Sequence, residues 1–150
     1  MSSQEHSRIS KKQYETLADF RYQLRRFLRH SEELSRRHGL TPLQYQLMLQ
    51  LKGYPGRDMA TVTELAERLQ AKHHGVVALV TRCEQQGLVE RRTDEADRRR
   101  VLVRLTEKGE RKLERLVELH RDELLAVQKR SSPRSGPFVV VRRADRRVGR

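Results

Sequence analysis

The stretch Lys72-His-His-Gly-Val-Val-Ala-Leu-Val-Thr-Arg-Cys83 offers two chemistries at once. Val76, Leu79, Val80 and Cys83 fall at i, i+3, i+4 and i+7, the spacing of one buried helical face. The other positions, Lys72, His73, His74, Gly75, Val77, Ala78, Thr81 and Arg82, are mostly small, polar or basic. That combination suits close approach to a polyanion: charged and hydrogen-bonding groups make contact, and glycine and alanine leave room. Downstream, Asp97-Arg98-Arg99-Arg100 sets three guanidinium groups behind one carboxylate. Taken alone, such a run is as readily solvated charge as a binding site, so its neighbours decide.

Other candidate sites weigh less. His73 and His74 can be DNA contacts, solvated surface or a metal pair. Adjacent helical side chains point about 100° apart, which disfavours a shared metal. As contacts to a polyanion they would strengthen binding below about pH 6.5. Cys83 can be a thiol sensor or a packing residue, and its place on the apolar stripe favours packing, since burial makes a thiol inert. As the single cysteine it excludes an intrachain disulfide. Asp94 and Asp97 sit three apart in an arginine-rich loop, which suits bracing better than acid–base work. The sequence has no phosphate-binding glycine loop, nucleophile elbow or HExxH zinc motif. No enzyme activity, cofactor or metal is therefore expected.

The elements that position these residues follow from periodicity and capping. From Lys11 to His38, apolar residues recur at Leu17, Phe20, Leu24, Phe27, Leu28 and Leu34, one stripe on a long helix. Gly39 stops it. A stripe this long in so polar a chain is expected to pack on something outside itself, with a core helix of the monomer as the alternative. Thr41-Pro42-Leu43-Gln44 and Thr61-Val62-Thr63-Glu64 have the form of capping boxes, each opening a short helix. A fourth helix is expected over 72–86 and ends at Gly87. Residues 88–92 and 101–105 then form a two-stranded ribbon joined by a polar loop. Thr106 opens a last helix whose apolar side runs through Leu113, Leu116, Val117, Leu119, Leu124 and Val127.

A short helix, a tight turn and a second helix with one buried face make a helix-turn-helix. The major groove, about 12 Å wide, admits one such helix. A ribbon placed directly after it makes a wing. The arginines at the ribbon's tip can enter the neighbouring minor groove, where A·T-rich stretches concentrate negative potential. In that position Arg98, Arg99 and Arg100 become expected DNA contacts.

Three segments carry a family resemblance: Thr63-Glu-Leu-Ala-Glu-Arg-Leu69, Glu84-Gln-Gln-Gly-Leu-Val89 and Asp94-Glu-Ala-Asp-Arg-Arg-Arg-Val-Leu-Val-Arg-Leu-Thr-Glu-Lys-Gly109. In these the chain resembles the MarR-type winged-helix transcriptional regulators of bacteria and archaea, over about residues 17–128. The resemblance implies a mainly α fold with a small β-ribbon, a winged helix-turn-helix between long N- and C-terminal dimerisation helices. It implies a homodimer binding a pseudo-palindromic operator in double-stranded DNA. Arg99 corresponds to the arginine that enters the minor groove, and Asp97 to the acid that braces the wing on a nearby arginine. Many such proteins are repressors released by small aromatic or phenolic effectors bound between the dimer region and the DNA-binding lobe. Two departures stand out. The recognition helix opens with Lys-His-His-Gly where small hydroxyl residues are common, and after Arg130 the chain runs into Ser/Pro/Gly and basic residues instead of apolar helix.

Composition agrees with such a function and supplies a competitor to it. The 150 residues carry a formal +13, and only 35% are apolar, low for a globular domain. About half of the excess charge lies from Lys129 onward, where Asp145 is the single acid. That tail favours the competing function, a nonspecific or architectural nucleic-acid-binding protein driven by charge. The expected layout is a disordered 1–10 and a single domain over 11–130. Its dimerisation helices are 11–38 and 106–130, its winged lobe is 41–105, and 131–150 is a basic, disordered tail. No stretch approaches the 20 or so apolar residues a membrane span requires, and no leader's apolar core follows Met1. A cytoplasmic, nucleoid-associated protein without membrane partners is expected.

Overall fold

Ser10 opens the first helix by a reciprocal pair of bonds: its hydroxyl accepts from Gln13 N at 3.2 Å, and the Gln13 side chain accepts from Ser10 N at 2.8 Å. Ser10, the last residue of the segment expected to be disordered, is thus the N-cap of the helix. The computed structural model describes residues 8–130, with the side chains of 123, 124 and 126–130 left aside. The expectations for 1–7, for the tail 131–150 and for the Leu124 and Val127 side chains lie outside the described residues.

The order is α1 (Lys11–Arg37), α2 (Pro42–Lys52), β1 (Met59–Thr61), α3 (Val62–Leu69), α4 (His73–Gln85), β2 (Val89–Thr93), β3 (Val101–Leu105) and α5 (Glu107–Arg130). Thr41 and Gln44 form a full capping box at α2. Thr61 caps α3 by accepting from Glu64 N at 3.2 Å. The expected return bond from the Glu64 side chain is replaced by bonds to Arg57 and Arg100. The turn between α3 and α4 is closed by Gln70 in the left-handed region, at φ 51°. Its side-chain amide donates to Glu67 O at 2.8 Å, local compensation for a conformation that non-glycine residues rarely adopt.

The expected two-stranded ribbon is a three-stranded antiparallel sheet in the order β1-β3-β2. Ala60 and Arg91 flank Val103 from either side, and both Ala60 and Val103 are fully buried. β1 thus anchors the wing to the helical body. One apolar core joins Leu47, Met48 and Leu51 of α2 with Leu65, Val76, Val80, Val103 and Leu116.

Two packing details fix α5. The Thr106 hydroxyl donates to Gly87 O at 2.6 Å and accepts from Gly109 N at 3.0 Å. Gly109 lies so close to Leu88 that a Cβ there would stand 2.0 Å from the Leu88 carbonyl oxygen. Further along, Leu116 O accepts from the His120 ring at 2.7 Å. His120 also stacks on Tyr45, with centroids 4.4 Å apart and planes within 2°. The N-terminal part of α1 differs: Leu17, Phe20 and Leu28 of its apolar stripe remain 56%, 41% and 42% exposed, and only Leu34 of the stripe is buried.

Candidate nucleic-acid interface

α4 divides as its sequence periodicity requires. Val76, Leu79, Val80 and Cys83 are buried, while His73, His74, Gly75, Val77, Ala78 and Arg82 are exposed. The helix is one residue shorter at each end than expected; Lys72 is its N-cap, without a side-chain capping bond. Nothing lies within 4 Å of a Cβ built on Gly75, so that surface is open to close approach. Cys83 is fully buried, and burial pushes its thiol pKa up to about 11, a packing environment rather than a reactive one.

Thr81, expected as a DNA contact, is hydrogen-bonded within the protein. Its hydroxyl donates to Val77 O at 3.0 Å and accepts from an Arg91 guanidinium nitrogen at 2.9 Å. The same guanidinium reaches Glu84 at 2.8 Å, and Arg91 N donates to the other Glu84 oxygen at 3.2 Å. Arg91 of β2 therefore clips the outer side of α4 to the sheet. Sequence reasoning missed it: one arginine among many, distinguished only by the opposing glutamate seven residues earlier.

The wing tip is a backbone-braced turn. Asp94 N donates to Arg100 O and Arg100 N to Asp97 O, both at 2.9 Å. Asp94 also accepts from Ala96 N at 2.9 Å, and Asp97 from Arg99 N at 3.1 Å. Asp97 braces chiefly through that amide, because its ion-pair distance to Arg99 Nε is 3.7 Å and the Arg99 side chain is 96% exposed. Arg98 and Arg99 project from the tip, while Arg100 turns back to Glu64 at 3.1 Å. At the wing's base Glu90 accepts from Arg104 at 2.7 Å. That bond, with Arg92 nearby, holds its carboxyl below the usual range.

A cleft of about 430 Å³ opens between the end of α1, the start of α2 and the end of α4, lined in part by Arg36, Leu40, Gln44, Arg82 and Gln86. Among the described residues no cluster of three or more His, Cys, Asp or Glu side chains could hold a metal. No helix there is long and apolar enough to cross a membrane.

A family model described as the MarR family matches residues 38–100. An uncharacterized HTH-type transcriptional regulator of Bacillus cereus is 34% identical over 96 residues, covering 61% of this chain and 61% of that protein. The HTH-type transcriptional repressor MdtR of Bacillus subtilis is 32% identical over 85 residues, 57% of this chain and 53% of that protein. The chain thus spans between 53% and 61% of the curated relatives it matches. Among solved structures, a MarR family protein from Bacillus stearothermophilus superposes with a TM-score of 0.71 at 28% identity. That match covers 84% of this chain and 86% of the other.

Proposed function

We propose that this chain, similar over residues 38–100 to the MarR family and in fold to a MarR family protein, is a homodimeric transcriptional repressor binding a pseudo-palindromic operator. The observation that carries the reading is the clip made by Arg91. It ties the outer side of α4 to the wing strand β2, so that helix and wing can address a major groove and the adjoining minor groove together. Lys72, His73, His74, Gly75, Val77, Ala78 and Arg82 approach base edges and phosphates, Arg98 and Arg99 occupy the minor groove, Asp97 braces the wing, and Thr81 and Arg100 serve positioning roles. Footprinting on the DNA upstream of its own gene is expected to protect two half-sites about 34–36 Å apart. Scrambled DNA competing equally with that site would instead establish a nonspecific charge-driven binder.

Dimerisation is supported by the uncovered apolar row on α1, where Tyr14, Leu17 and Phe20 are more than 40% exposed. A second copy burying this row completes a core that one chain leaves open. Substituting Leu17→Glu and Phe20→Glu should yield a monomer by sedimentation and abolish operator binding. A dimer persisting in that variant overturns this interface.

The cleft beside Arg36 and Arg82 is where an effector would act. Two guanidinium groups favour a carboxylate or phenolate, Leu40 offers apolar surface, and Arg82 belongs to the recognition helix. A small aromatic anion bridging α1 to α4 would reset the angle between dimer region and DNA-binding lobe. Operator release on titration with aromatic acids, lost in Arg36→Gln, tests this.

A further inference from the structure

Glu64 is the third residue of α3, 20% exposed at its side chain, and it faces two arginines from separate parts of the chain. One oxygen accepts from Arg100 at 3.1 Å and the other from Arg57. The Arg57 guanidinium and the Arg100 backbone are each held from a second direction. The Arg57 group lies 4.4 Å from the centre of the Tyr54 ring, which Arg68 also approaches at 5.8 Å. The Arg100 backbone is hydrogen-bonded through both its N–H and its C=O. The third wing-tip arginine thus points toward the body of the protein while Arg98 and Arg99 point away. The forked carboxylate links wing and α3 directly, 36 residues apart in sequence.

We propose that Glu64 is a specificity-determining residue for DNA binding, holding Arg57 and Arg100 out of phosphate contact and fixing the wing against α3. The inference rests on the DNA-binding reading above. Arginines bound to phosphates supply affinity that carries no sequence information, and each adds about 0.9 to the salt dependence of binding. Two mobile guanidinium groups find phosphates in any register on random DNA. On an operator the docked helix and wing dictate where they lie. Releasing them therefore favours random sequence, and loosening the wing weakens the operator complex. Both effects lower the ratio between specific and nonspecific affinity.

The test compares Glu64→Gln with Glu67→Gln, which removes the same charge from the same helix. Among the described residues Glu67 contacts Gln70 and no arginine. Affinity for operator and scrambled duplexes is measured from low to moderate salt. Glu64→Gln is expected to steepen the slope on scrambled DNA by about 1 to 2 and to lower the operator preference severalfold; Glu67→Gln changes both far less. In an Arg57→Gln, Arg100→Gln background the effect on slope should vanish. A second arm keeps Glu64 intact. Arg100→Gln alone should leave the slope on scrambled DNA unchanged, whereas Arg98→Gln should reduce it by about 1. Equal behaviour of Glu64→Gln and Glu67→Gln, or an Arg100→Gln loss matching that of Arg98→Gln, overturns the inference. A parent protein without preference for any duplex overturns the DNA-binding reading instead.

Discussion

The Ser31 hydroxyl and the His120 imidazole, 89 residues apart in the chain, meet at 2.7 Å in the buried joint between α1 and α5. Because the other ring nitrogen faces the Leu116 carbonyl, which can only accept, the proton sits on Nδ1. Nε2 is then left to accept from Ser31. The bond exists in this form only while the ring is neutral.

The pH dependence of stability follows from that geometry. Burial lowers the His120 pKa, with the nearby His30 of α1 and His38 just after it adding to the effect against hydrogen bonds that oppose it. Between this lowered value and the ordinary value of about 6.5, the unfolded chain binds more protons than the folded one. This group's contribution makes stability rise with pH across the window and fall on acidification. Denaturant unfolding at a series of pH values should show that slope, and His120→Phe should flatten it. Unfolding free energy in the parent that is no lower on acidification through this window than in His120→Phe would contradict the neutral assignment.

Two glycines should respond in opposite directions. Inside a helix, alanine normally stabilises by up to about 1 kcal/mol over glycine. At Gly109 the added methyl meets the Leu88 carbonyl oxygen at 2.0 Å, so Gly109→Ala should cost about 2–4 kcal/mol. At Gly75 the space is open, so Gly75→Ala should leave stability unchanged or raised. It should weaken DNA binding by filling the approach surface. Thermal melts and binding isotherms on the two variants separate these effects.

Arg91 should matter more for binding than for folding. Its pair with Glu84 is partly exposed, at 28% and 41%, and such pairs contribute little stability. Arg91→Met keeps the stem and removes the clip on Thr81. Operator affinity is expected to fall about tenfold, equivalent to about 1.4 kcal/mol, with the melting temperature nearly unchanged. Binding unchanged by this variant would disconnect helix orientation from the wing strand.

Cys83 should be silent in the folded protein. With its thiol buried and its pKa near 11, labelling by a disulfide reagent should proceed no faster than unfolding. Peroxide should leave operator binding intact. Rapid labelling at neutral pH would show an opening of the α4 packing face.

Local signals were sufficient for much of the fold. The Thr41 capping box, the stop at Gly39 and the split between buried and exposed sides of α4 are each set by residues within one or two turns of one another. β1 was not legible, because Met59-Ala60-Thr61 is too short to alternate and becomes a strand only by pairing with Leu102–Arg104 some forty residues later. The same limit applies to the candidate site. Thr81 and Arg100 have the right types for DNA contact, and nothing local announces that they also bond to Arg91 and Glu64. In a sequence with 33 basic and 20 acidic residues, only tertiary placement selects which of them pair.

With β3 hydrogen-bonded on both flanks, the wing is the outer jaw of a caliper whose hinge is welded. The span from recognition helix to fingertip arginines is preset, so a duplex that does not match it must itself twist or narrow. Base pairs the protein never touches would then be graded by their stiffness, and a supple stretch between the half-sites would outrank a rigid one.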